Sequence, residues 1–123
     1  MAILDSSAII HVLAGSGEGE RIKEKFGDVA YATSAISVHE VLAGVSDGHR
    51  AKVVEFLKNI EILPFDAAAA FKSSELELHL KRSGRMICKL DILIASICLV
   101  RNVPLITTDN DFKKVTGLSV LTL

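Results

Sequence analysis

Four acidic residues of this chain stand where ordinary surface solubility does not explain them. They are Asp5 in ILDSSAII, Glu40 in SAISVHEVLAG, Asp91 in CKLDILIASICLV and Asp109 in PLITTDNDF. Asp5 follows the apolar run Ala2-Ile3-Leu4, and Asp109 follows Leu105-Ile106-Thr107, so each sits at the carboxyl end of a predicted strand. Ligands of open parallel sheets bind outside those ends. Each acid also has a plainer explanation. Asp is a favoured helix N-cap, and Thr108-x-x-Asp111 loosely matches a capping box. Taken alone, Ser37-Val38-His39-Glu40 fits the capping box S-x-x-E, with Glu40 reaching back to the cap nitrogen. Asp91 tips the balance towards a site, because it is the only acid in a segment that is apolar on nearly every face. Its plain alternatives are an ion pair with Lys89 or Arg85, or simple placement in a first helical turn.

Carboxylates gathered at one sheet edge repel one another and raise each other's pKa values. A divalent cation relieves that repulsion, and hard oxygen donors suit Mg²⁺ or Mn²⁺. Such a centre can activate a water and neutralise the leaving oxygen of a phosphodiester. Other chemistries lack their motifs. The histidines form no H-x-x-x-H pair, Ser6-Ser7 lacks G-x-S-x-G spacing, and neither a Walker A loop nor G-x-G-x-x-G occurs.

Apolar runs of strand length alternate with segments of helical period, which predicts an α/β fold with a parallel sheet. Predicted strands lie at 2–4, 29–32, 60–63, 105–107 and 120–121. Helices are expected from Ser7 to Leu13, from Glu18 to Phe26, at about 38–45 and 49–58, from an Asp66 cap to about Lys81, and over about 88–101. The segment 112–115 reads as a last short helix.

With 123 residues, half of them apolar, the chain is expected to form one domain over 1–123 with a core of its own. A mean hydropathy of +0.41 exceeds what so small a core absorbs and points to a self-association face. Residues 1–7 lack the basic start of a signal peptide, and the longest apolar run, Ile92 to Val100, is too short to span a bilayer. Cys88 and Cys98 fall in one predicted helix, ~15 Å apart at ~1.5 Å per residue, beyond disulfide reach. Core packing in a reducing cytoplasm is the expectation. A net charge of −1 gives no general nucleic-acid footprint. A local basic group, Lys81, Arg82, Arg85 and Lys89, reads in isolation as a solvated helix end.

Taken in order and spacing, ILDSSAII, SVHEVLAG, Gly84-x-x-Ile87-x-x-x-Asp91-x-LIA and LITTDNDF resemble the PIN-domain ribonucleases over essentially the whole chain. Among these the chain is most similar to the compact VapC-type toxins of toxin–antitoxin pairs. The resemblance implies a three-layer α/β/α domain with a twisted parallel sheet of about five strands, and a Mg²⁺- or Mn²⁺-dependent endoribonuclease. It makes Asp5, Glu40, Asp91 and Asp109 the metal-binding and catalytic carboxylates, with Ser6 and Thr107 supporting them and Asp111 either supporting or only capping. It implies an RNA substrate, a cognate antitoxin, a homodimer and a cytoplasmic setting, and it gives the basic group an RNA-backbone role. Two other possibilities stay open: a PIN nuclease of RNA processing, and a non-catalytic PIN-like binding module. A haloacid-dehalogenase-type phosphotransferase would need D-x-D at the first strand, where Ser7 stands instead.

Overall fold

Ala2-Ile3-Leu4 and Leu105-Ile106 are apolar at every position because both faces of a parallel sheet are covered. The computed structural model describes residues 1–27 and 29–122; Asp28 and Leu123 lie outside the described residues. In chain order the elements are β1 (Ala2–Leu4), α1 (Ser6–Ala14), α2 (Gly17–Phe26), β2 (Tyr31–Ser34), α3 (Ala35–Gly44), α4 (Asp47–Lys58), β3 (Glu61–Leu63), α5 (Ala67–Arg82), α6 (Lys89–Arg101), β4 (Leu105–Ile106), a 3-10 helix (Asn110–Lys114) and β5 (Val120–Leu121). The strands form one five-stranded sheet in the order β3-β2-β1-β4-β5. Every pairing is parallel.

Strand alternation divides the core into two layers. Ile3, Ala32 and Leu105 face one way, against Leu76 and Leu80 of α5 and Ile94 and Ile97 of α6. Ala2, Leu4 and Ile106 face the other way, against Ile9 of α1, Ile22 of α2, Val41 of α3 and Leu57 of α4. On α3, Ile36 packs into the first layer while Val41 packs into the second, so that helix spans both. This is the expected α/β/α arrangement.

Three local expectations are corrected. The second strand lies at Tyr31–Ser34 rather than 29–32. Its polar half is hidden from a hydropathy pattern because the hydroxyls are satisfied internally: Thr33 Oγ1 donates to the Leu4 carbonyl at 2.8 Å. Next, α3 is capped by Ser34, whose Oγ accepts from the Ser37 amide at 2.9 Å. Ser37-x-x-Glu40 is therefore no capping box, and Glu40 lies well inside the helix, beyond reach of the cap nitrogen. Cys88, expected in the core, is the exposed residue just before α6. Cys98 alone is buried, and that burial pushes its thiol pKa up to about 12, far from any reactive range.

The close crossing of α1 and α2 depends on one glycine. A Cβ on Gly19 would lie 2.1 Å from the His11 carbonyl oxygen of α1. The same corner is tied by Ser16, whose Oγ caps α2 through the Gly19 amide and lies 2.9 Å from His11 Nδ1.

Candidate active site

The strand order reverses between β1 and β4. From β1 the chain moves outward to β2 and β3, and it later returns to place β4 and β5 on the other side. A crevice opens at such a switch point, outside the carboxyl ends of the strands. Asp5 leaves β1 there, and Asp109 follows β4. A helix between parallel strands runs back across the sheet, so the N-terminal turn of α6, with Asp91, comes to the same edge. Glu40 arrives on α3, which begins at the carboxyl end of β2.

Asp5 is 3% exposed and tightly bonded. Its Oδ1 accepts from the Ala8 amide at 2.8 Å, as a cap should, and from Ser7 Oγ at 2.7 Å. Its Oδ2 accepts a short bond from Thr107 Oγ1. Burial raises its pKa, the bonds from Thr107, Ala8 and Ser7 oppose that, and the charge of Asp109 adds to it. Capping and site placement thus coexist in one residue. Asp109 likewise caps the 3-10 helix through the Asp111 amide at 2.9 Å, and its own amide donates to Thr107 Oγ1 at 2.9 Å. Glu40 Oε1 accepts from Ser6 Oγ at 2.7 Å, which ties α3 to the first residue of α1.

Asp91 stands apart. It accepts no hydrogen bond and makes no ion pair among the described residues, and Lys89 turns instead to Glu77 at 4.0 Å. Its pKa rises from 3.8 to about 6, first through burial and then through the charges of Asp109, Glu40, Asp5 and Asp111. The ion-pair explanation for Asp91 is therefore set aside. The contributions of the other acids also place all of them in one electrostatic neighbourhood. A raised carboxyl pKa works against the folded, ionised state. Its stability contribution is complete below about 3.8 and is lost as pH rises through about 6. Such a shift corresponds at most to ~3 kcal/mol, and solvent screening at this half-buried side chain reduces it to about 1 kcal/mol. Metal-free Asp91→Asn should accordingly be more stable than the parent at pH 7 by about 1 kcal/mol, with the difference vanishing near pH 4. Paired melts across that range check it.

The donor set fits a hard divalent cation. Glu40 Oε2, Asp109 Oδ2 and both Asp91 oxygens accept no hydrogen bond among the described residues, and all are carboxylate oxygens. Among the described residues, no three acidic, histidine or cysteine side chains stand close enough together to hold a metal ion as they are. The electrostatic coupling of Asp91 is nevertheless explicit. That coupling suits an open site for an ion such as Mg²⁺, which keeps several waters and takes few protein ligands. Asp111 is one step removed, since its carboxylate pairs with Lys114 at 3.2 Å.

The basic group lies on the last turn of α5, the following loop and the start of α6. Glu77 takes Lys81 at 3.4 Å and Lys89 at 4.0 Å, while Arg82 and Arg85 are exposed with no ion pair among the described residues. Two residues that the sequence motifs do not assign to the site also join it. Ser7 Oγ accepts from Thr108 Oγ1 at 3.1 Å while donating to Asp5. Their signal was the doubling of hydroxyls in Asp5-Ser6-Ser7 and Thr107-Thr108-Asp109, of which only Ser6 and Thr107 were taken up.

A parallel five-stranded α/β/α domain with acids converging on its switch point defines a class, and comparison with known proteins agrees. The PIN domain family model matches residues 2–118, and the chain belongs to the PIN-domain family. It is 30% identical over 122 residues to Ribonuclease VapC5 of Mycobacterium tuberculosis, covering 94% of this chain and 87% of that protein. The structure of VapBC-5 from the same organism, a member of the VapBC family of toxin-antitoxin systems, is similar with a TM-score of 0.71 at 30% identity, covering 99% and 97% of the two chains. VapBC2 from Rickettsia felis, bound to a DNA fragment from its promoter, is similar with a TM-score of 0.85 at 25% identity, covering 98% and 97%.

Proposed function

We propose that the chain is a Mg²⁺- or Mn²⁺-dependent endoribonuclease and the toxin of a toxin–antitoxin pair. The observation that carries this is Asp91, a carboxylate without a cationic partner among the described residues, whose pKa is driven up by burial and by the surrounding acids. Such an arrangement is costly for folding and useful for holding a cation. Kinship with ribonucleases of the PIN family supports RNA as the substrate.

In this reading Asp91, Glu40 and Asp109 would hold the cation through the oxygens that accept no hydrogen bond among the described residues, and Asp5 would add its charge and remaining lone pairs. When bound, the cation lowers the pKa of a water and neutralises charge building on the phosphate oxygens. The chain's own groups do the positioning. Ser6 holds the Glu40 carboxylate by its Oε1, and Oε2 accepts no hydrogen bond among the described residues. Thr107 donates to Asp5 and accepts from the Asp109 amide, so one hydroxyl sets both strand-end acids. Asp111, held by Lys114, contributes field rather than contact. Arg82 and Arg85, with Lys81 and Lys89 beside them, meet the RNA backbone on its way to Asp91.

The antitoxin fits a groove of about 600 Å³ whose walls include Ile10, Leu13, Val41 and Val53, with Glu40 on one side and Lys52 on another. An amphipathic segment seated there would bring its end to the acids. A second copy of the chain would cover α5, where Phe71 is 76% exposed and Leu78 47%. The setting in this reading is the cytoplasm, and no described helix is long and apolar enough to cross a membrane.

Cleavage of single-stranded or loop RNA tests the proposal, since unpaired bases are the accessible ones. Purified protein should cut such RNA with Mg²⁺ or Mn²⁺ and stop when EDTA is added. Undiminished cutting in chelator would overturn the mechanism.

A further inference from the structure

We propose that Ser7 and Thr108 form a hydroxyl strut that sets the spacing of Asp5 and Asp109 and thereby the affinity of the site for its cation; this rests on the metal-dependent reading above. The strut joins residues 101 positions apart in sequence. Thr108 Oγ1 donates to Ser7 Oγ at 3.1 Å, the Thr108 amide approaches the same oxygen at 3.4 Å, and Ser7 Oγ donates onward to Asp5 Oδ1 at 2.7 Å. Ser7 lies in the first turn of α1, yet the capping acceptor there is Asp5, so the Ser7 hydroxyl is free for this cross-link.

The link matters because of what it joins. The β1–α1 turn carries Asp5, the turn after β4 carries Asp109, and the two strands are neighbours at the switch point. Like charges on those turns push them apart. Two hydroxyl routes oppose that spreading: Thr107 between Asp5 and the Asp109 amide, and Ser7 with Thr108 alongside. Partners that orient metal ligands in this way typically change affinity by about 10–100-fold when removed.

Mn²⁺ titration of the full chain without RNA, read by electron paramagnetic resonance, tests the strut. Ser7→Ala and Thr108→Val should each weaken Mn²⁺ binding by about 10-fold. The double variant should lose little more than either single change, since both remove the same connection. Ser7→Thr and Thr108→Ser keep the hydroxyls and should restore affinity, and thermal midpoints should stay near the parent's throughout. Parental Mn²⁺ affinity in Ser7→Ala, or fully additive losses, would overturn the strut while leaving the metal reading intact. Lowered midpoints without hydroxyl rescue would make the pair a packing feature and overturn it too. A parent chain that binds no Mn²⁺ would remove the metal reading, and the strut with it.

Discussion

Asp91→Asn is expected to abolish most RNA cleavage, with a fall of about 10²-fold or more in single-turnover rate, while the metal-free fold loses nothing. The two halves of this expectation have one cause. Asp91 accepts no hydrogen bond and pairs with no cation, so Asn breaks no contact among the described residues. The carboxylate is also crowded by Asp109, Glu40 and Asp5, and Asn relieves that repulsion. A residue kept for folding would show the opposite pattern. Glu40→Gln should match Asp91→Asn in rate loss, because Ser34 rather than Glu40 is tied to the cap of α3. Ser34→Ala is the converse control, expected to lose about 1 kcal/mol of stability. Parental cleavage rates in Asp91→Asn and Glu40→Gln would show that these acids do not form the catalytic centre.

Gly19→Ala is expected to be the most damaging single methyl in the chain. The added Cβ meets the His11 carbonyl oxygen at 2.1 Å and the His11 carbonyl carbon at 2.6 Å, both backbone atoms that no rotamer can move aside. Helices α1 and α2 must then separate, opening the layer that holds Ile9 and Ile22. Overpacking of this kind costs about 2 kcal/mol or more, which for a domain of this size lowers Tm by roughly 10 °C. Gly17→Ala is the internal comparison, since a Cβ there meets nothing within 4 Å. Equal melting temperatures for the two variants would refute the crossing argument.

The sheet and the helices around it were legible because both signals are strong: Ala2, Ile3 and Leu4 run without a polar break, and Asp66 caps α5 as its type predicts. The second strand was placed two residues early because Thr33 and Ser34 look polar in sequence yet are fully buried with their hydroxyls bonded. The same blindness affected the site. The acids could be named from position, but which hydroxyl touches which acid depends on a pairing between β1 and β4 that local sequence does not contain. Ser6 donates to Glu40, and Ser7, whose contact no motif announces, donates to Asp5. Glu40 shows the reverse error. Its neighbours imitate a capping box so well that only the true cap at Ser34 reveals it as an interior residue.

The central pairing of Ile3 with Leu105 has a consequence for how the chain is made. Asp5 is synthesised about 100 residues before its strand partner, roughly 5–20 s earlier. Until then β1 has β2 on one side and an open edge on the other, and neither Thr107 nor Thr108 exists to hold the first turn in place. No nascent chain ending before Leu105 can close the switch point, however many of its acids are already present. This order withholds the completed sheet, and the switch point beside it, until β4 has been synthesised.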